Sequence, residues 1–537
     1  MPPVMATVTA RATATATATV SRAEERSVPR RPERKTLPIR SACLLPAALL
    51  AVAPAFAAKP LLSYEAGIEE TLTDNASATE GGSDEDADLV TSLSVGANGT
   101  YTGGRLEGQF GLKATTDVYL DDSSRNKGYV EGSGRLSFEA INRRLFINAG
   151  VTQTRRDRSV FGLTSVDESV NTGNRETIRA YDLSARTNFR LGREIDGGAS
   201  LSRAWTSGGS QVLEGRRIAT TFAVSLDHPL AFGPFGWNVG YQRQWTDNDA
   251  RTGTAILQTL RGELSYRFSD QLKVRLIGGR ETNDYESGAD RENTIRGVGA
   301  NLVLSPRTHL DATVEKRFFG TGYRYEFRHS RPLSTLRASY VRDVSSIEDS
   351  ELLSLEEIAF RDFFVGLAAA IPDEAQREAT ARALAATIPN GGSSFASFVT
   401  NSFSVTRRLQ LTGSLVGARN VLSLGLSKSD NERIGNGEGL AVGDDFARFS
   451  NIRTSSVTLS LSHKLGSLST LSAGISHSNS EGRGSSNEDV TRQSLTVGYN
   501  KRIGATSDIG LTLRRQESDG TRVYTEHAVI ASLKARF

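Results

Sequence analysis

The residues able to do chemistry are sparse, and their spacing is informative. Histidine occurs only at His228, His309, His329, His463, His477 and His527. None has a second ligand at the four-residue spacing that puts two metal-binding side chains on one helix face. An acyl-transfer site needs His beside Ser and Asp at one rim. His477, between Ser476 and Ser478, is the one tempting cluster, in a chain where Ser is abundant. The single Cys43 excludes a disulfide scaffold and a cysteine-rich metal site. The reading is therefore no enzyme, no metal and no cofactor.

Two charged groups remain. The stretch Thr73–Asp88 holds Asp74, Glu80, Asp84, Glu85, Asp86 and Asp88. Such density suits a hard divalent cation, including one bridging lipopolysaccharide, or simply a solvated loop, since the calcium-loop pattern is missing and Gly81-Gly82 loosens it. Arg261, Arg267, Arg275, Arg317, Arg324, Arg328 and Arg337 share one face of neighbouring segments, with Glu263, Glu315 and Glu326 opposing them. They form either a positive wall that favours anionic solutes or an Arg/Glu ladder that only stiffens an interior.

The elements that must position these groups are strands. Leu260, Leu264, Tyr266 and Phe268 alternate with Arg261, Glu263, Ser265 and Arg267; Val457, Leu459 and Leu461 alternate with Thr458, Ser460 and Ser462. Period two gives one apolar and one polar face. The polar face is charged on strand after strand, the strands are long, and short connections alternate with long ones. All three features favour a transmembrane barrel with lipid outside and a wet lumen over a soluble sandwich. Ser269-Asp270, Ser305-Pro306, Pro332-Leu333, Gly466-Ser467 and Gly504-Ala505 read as periplasmic turns. Asp284–Arg291, Asp430–Phe449 and Glu481–Glu488 read as outer loops. The expected fold is an all-β, antiparallel, up-and-down barrel of about 22 strands (range roughly 20–24) with both ends periplasmic.

Composition agrees. The chain of 537 residues is 38% hydrophobic with 51 Gly, and its formal charge of +3 is no nucleic-acid footprint. No apolar run after position 60 is long enough for a spanning helix. Before it, a basic stretch (Arg30, Arg31, Arg34, Lys35, Arg40) precedes a short apolar segment ending in Ala55-Phe56-Ala57, the pattern of a secretory signal. Residues 1–57 are therefore expected to be removed and 58–537 to form the barrel in the cell outer membrane. At the other end Val529, Ala531, Leu533, Ala535 and Phe537 alternate up to a terminal aromatic, an expected signal to the barrel-assembly machinery.

One segment breaks the alternation. Leu352, Leu353, Leu355, Ile358, Phe360, Phe363, Phe364 and Leu367 have helical spacing, Pro372-Asp373-Glu374 suits a helix start, and Ala375–Ile388 is Ala-rich. A helical hairpin inserted at about 350–390 is expected, as a plug or gate for the pore or as a lid that only packs the loops.

Glu-Thr-Leu-Thr-Asp-Asn at Glu70–Asn75, Phe-Ser-Val-Thr-Arg-Arg-Leu at Phe403–Leu409 and Gly-Ala-Arg-Asn at Gly417–Asn420 together resemble the outer-membrane proteins associated with PEP-CTERM/exosortase systems. That resemblance implies a barrel connected with exopolysaccharide production or export, with polysaccharide-export components as partners, and it carries no catalytic residues. Outer-membrane lipid and lipopolysaccharide are the other expected partners. The competing expectations are a general or solute-specific porin and a structural or assembly barrel that conducts nothing. A TonB-dependent receptor is disfavoured, because no plug domain of about a hundred residues precedes the strands.

Overall fold

The computed structural model describes residues 61–537 except 77–86, 166–172, 209–215, 250–253, 286–290, 332, 347–363, 365–376, 378–380, 382–397, 438–439, 442 and 521–522. The expected signal segment lies outside the described residues. So does most of the expected helical hairpin, of which only Phe364, Arg377 and Ala381 are described, all three helical.

The described chain is one closed antiparallel sheet of 22 strands in simple meander order. The strands are β1 (Leu61–Thr73), β2 (Asp88–Gly103), β3 (Leu106–Tyr119), β4 (Lys127–Ile141), β5 (Leu145–Asp157), β6 (Arg175–Leu191), β7 (Ile195–Gly208) and β8 (Arg216–Phe232). They continue as β9 (Phe235–Asn248), β10 (Ala255–Arg267), β11 (Leu272–Asn283), β12 (Arg291–Ser305), β13 (Thr308–Arg317), β14 (Gly320–Arg331) and β15 (Ser334–Ser345). The remainder are β16 (Ser404–Val416), β17 (Asn420–Arg433), β18 (Phe449–Lys464), β19 (Ser469–Gly484), β20 (Asn487–Arg502), β21 (Ser507–Gly520) and β22 (Tyr524–Arg536).

β22 pairs with β1, and the last residue completes the seam. The Phe537 amide donates to the Tyr64 carbonyl at 2.9 Å, and the Tyr64 amide donates back to the Phe537 carbonyl at 3.1 Å. Closure leaves no unpaired edge, which hydrocarbon demands because it cannot solvate backbone polar groups.

Directly paired residues share a face. Leu264, Leu276 and Val298 line up on three neighbouring strands, and all three are exposed. The same exposed apolar row continues through Leu93, Val95, Leu183, Leu201, Leu459, Ile475 and Leu513. This is a lipid-facing belt, and at the short-turn rim Phe235, Tyr266 and Phe268 stack edge-on as an interfacial aromatic cluster. The protein is an outer-membrane β-barrel. Among the described residues no helix is long and apolar enough to cross a membrane.

Both ends and the short turns share one rim. Gly104, Gly192 and Gly233 sit in these turns at φ of 58°, 66° and 62°, where a side chain would be strained. Two expected boundaries move. Glu481–Glu488 is mostly strand, with the connection reduced to Ser485-Ser486, because ladder pairing continues through Arg483 and Asn487. The loop expected at Asp430–Phe449 starts later, since Asp430–Glu432 still pairs with β18.

The lumen wall and a two-loop clasp as candidate functional site

The seven expected arginines all lie on lumen-facing register positions of β10, β11, β13, β14 and β15. Four are in ion pairs. Arg261 meets Glu263 at 2.9 Å and Glu315 at 3.1 Å. Arg275 meets Asp311 at 2.9 Å. Arg317 meets Glu281 at 2.7 Å, Glu315 at 3.2 Å and Asp343 at 3.5 Å. Arg324 lies 3.6 Å from Glu326 and 3.8 Å from Asp343. This part of the wall is a ladder of both signs. Arg328 and Arg337 face each other across β14 and β15 and are exposed, and Arg267 is exposed toward the short-turn rim.

The histidine cluster does not assemble. Pairing puts His477 on the lipid side beside Val457, while Ser476 faces inward and hydrogen-bonds Ser494 at 2.6 Å. Among the described residues no group of His, Cys, Asp and Glu is arranged to hold a metal.

What organises the long-loop end of the lumen is a pair of adjacent carboxylates that the charge pattern did not single out. Asp444 precedes a single helical turn, Asp445–Arg448, and caps it by accepting the Phe446 amide at 2.9 Å. Its other contacts reach a second loop. Thr400 Oγ1 donates to it at 2.9 Å, and so does the Asn401 amide. Asp445 receives a third segment: Ser159 Oγ donates at 2.7 Å and the Val160 amide at 2.9 Å. One dipeptide thus clasps the β5–β6 loop and the chain leading into β16.

Each clasped segment is also tied to the wall of other strands. Arg492 on β20 donates to the carbonyls of Val160 and Gly162, both at 2.7 Å. Tyr524 donates to the Thr164 carbonyl, and Gln516 Nε2 donates to Ser165 Oγ at 3.1 Å. Phe161 packs on Phe449 with ring centroids 4.7 Å apart, in an apolar knot with Phe446, Ile452 and Val490. On the second segment, Arg217 of β8 donates to the Asn401 carbonyl at 3.1 Å and lies over the Phe403 ring. Phe403 packs in turn on Tyr285 of the β11–β12 loop. Strands far apart around the circumference are thereby cross-linked through the lumen.

Burial sets the electrostatics of the node. Desolvation pushes the Asp445 carboxyl up to about 6, against the hydrogen bonds from Ser159 and Val160, with neighbouring Asp444 pushing the same way. Asp444 is raised for the same reason, partly offset by its backbone hydrogen bonds.

The quoted sequence motifs fall around this closure. Thr73 of Glu70–Asn75 donates to Glu526 at 2.9 Å, and Glu526 is fully buried against Arg514 at 2.6 Å. Asn75 Nδ2 donates to the Thr525 carbonyl at 3.1 Å, so the motif fastens β1 to β22 at the long-loop rim. Phe403–Leu409 begins β16 beside the second bridge. Gly417–Asn420 is a turn at the opposite rim, closed by the Gly417 amide on the Asn420 carbonyl at 2.7 Å. The gate expected at 350–390 is not where the described closure lies. That closure comes from 158–165, 398–403 and 444–449.

No family model matches the chain, and no curated protein matches it. Among solved structures, similar folds include the ferric enterobactin receptor of Pseudomonas aeruginosa, at 11% identity and a TM-score of 0.47, covering 89% of this chain and 81% of that one. The siderophore receptor PirA of Acinetobacter baumannii gives 8% identity and a TM-score of 0.46, with 89% and 80% covered. The FrpB iron transporter of Neisseria meningitidis gives 10% and 0.47, with 88% and 82% covered. Likenesses of this size say nothing about this chain's cargo.

Proposed function

We propose that the protein is a gated outer-membrane channel working in a surface-polysaccharide export system. The observation that carries the gate is the Asp444-Asp445 clasp, which holds two loops across a polar lumen with a few hydrogen bonds to a single dipeptide. The polysaccharide assignment rests on the resemblance in Glu70–Asn75, Phe403–Leu409 and Gly417–Asn420. Exposed Arg328 and Arg267 supply sites along the wall for an anionic polymer. The alternating strand Val529, Ala531, Leu533, Ala535 and Phe537 supports delivery by the barrel-assembly machinery, which takes up terminal strands of this pattern.

Planar-bilayer recording tests the gate. The wild-type protein is expected to give small or rare openings, and Asp444→Ala/Asp445→Ala large stable ones. Acidic oligosaccharides on the short-turn side are then expected to block the open variant more strongly than neutral ones of equal size. A folded, heat-modifiable double variant that stays silent overturns the channel in favour of a non-conducting assembly barrel. Equal block by both sugars overturns the acidic-polymer assignment alone.

A further inference from the structure

The outer surface of β11–β13 carries cations directly above its apolar belt. Leu276, Val298 and Val314 lie side by side on the lipid-facing row. The next outward-facing row toward the long loops holds Gly278, Arg296 and Lys316, directly opposite one another. Beyond it lie Arg280 and Thr294, with Arg280 paired to Glu292. Arg280, Glu292, Thr294, Arg296 and Lys316 line an open groove of about 600 Å³.

The charge balance in the groove is uneven. Glu292 is matched by Arg280, whereas Arg296 and Lys316 are both exposed, and among the described residues neither has an acidic partner. Like charges placed opposite each other on neighbouring strands repel. The arrangement is favourable once an anion sits between them. Its height supplies the anion: the row stands immediately above the hydrocarbon belt on the long-loop side, where headgroups of the outer leaflet lie.

We infer that Arg280, Arg296 and Lys316 form a binding site for the phosphates of a phosphorylated acyl-sugar lipid of the outer leaflet. The Arg296 guanidinium offers a planar fork to phosphate oxygens and Lys316 a mobile point charge. Leu276, Val298 and Val314 below them receive the acyl chains. This continuity of apolar wall and cationic row commits the site to a lipid, since a soluble phosphate has no use for the wall. The site lies outside the barrel and is independent of the lumen's function.

The test uses the full folded chain in detergent, with bisphosphorylated lipid A as probe and binding read by native mass spectrometry. Arg296→Gln/Lys316→Gln is expected to weaken binding about 30-fold, roughly fivefold for each cation at a membrane surface. Arg296→Gln alone is expected to lose roughly fivefold, which keeps the test decisive if the double variant fails to fold. Arg331→Gln, at the short-turn rim, should bind like wild type. Unchanged affinity in the variants, equal binding of dephosphorylated lipid, or displacement by equimolar inorganic phosphate each overturns the proposal.

Discussion

Ser159 and Asp445, 286 residues apart in the chain, are joined by a hydrogen bond of 2.7 Å. The bond ties the β5–β6 loop to the β17–β18 loop across the mouth of the barrel. Its neighbour Asp444 holds a third segment at Thr400 and Asn401. Loosening one dipeptide therefore weakens two bridges together, which couples loops that the wall contacts of Arg492, Tyr524 and Arg217 otherwise hold separately.

The titration of Asp445 gives the clasp a pH dependence. Its carboxyl stands at about 6 when clasped, raised first by burial and then by Asp444, and lowered by Ser159, Val160 and Arg448. Released into water it returns to near 4. The clasped state therefore binds the proton more tightly. Its added stability is complete below about 4 and is lost as pH rises through about 6. Open probability in bilayers is expected to rise between pH 5 and pH 7, and Asp445→Asn should flatten that rise. A wild-type profile falling over the same interval would contradict it.

The loop contacts can be weighed one at a time. Ser159→Ala removes a donor to a buried carboxylate and should shift the mouth toward open by about 1–2 kcal/mol. Arg492→Met should act similarly, because one guanidinium nitrogen donates to both the Val160 and Gly162 carbonyls and the variant removes both bonds. A double-mutant cycle of Ser159→Ala with Asp445→Asn should show coupling, whereas Ser159→Ala with Arg328→Gln should be additive.

At the seam, Arg514 and Glu526 form a buried pair, with Gln516 and Thr73 also donating to the carboxylate. Arg514→Met strands that carboxylate and is expected to cost about 3–5 kcal/mol. The readout is a lower temperature for conversion of the compact to the unfolded band on gels. Arg514→Met/Glu526→Leu should recover most of the loss.

The lumen wall predicts selectivity changes of one sign and unequal size at two arginines. Arg261 covers Glu263 and Glu315, so Arg261→Gln uncovers carboxylates and should move the reversal potential of the open variant toward cations. Arg328→Gln lowers positive charge without uncovering an acid among the described residues, so it should reduce anion preference by a smaller step.

The barrel was legible in the sequence because alternation is local. Ser269-Asp270, Gly466-Ser467 and Gly504-Ala505 punctuate it at one rim, and the structure puts each between successive strands. The clasp was not legible. Asp444 and Asp445 look like any acidic loop pair, and their partners at 159–160 and 400–401 lie at separations that no periodicity reports. The usable signal was Asp before a short apolar turn, Asp444 ahead of Phe446, a capping pattern that marks order within a loop. The arginine wall shows the converse: its residues were found by face, but the ion pairs that neutralise four of them depend on register between strands.

The bonds between Tyr64 and Phe537 join the opening of the first strand to the final residue of the chain. Until the carboxy-terminal segment has been delivered, β1 has only β2 beside it and its other side stands open. A nascent polypeptide cannot seal itself stepwise as a helix bundle does. Two raw margins stay unsatisfied for the whole interval, and the zipper shuts only once the two ends meet.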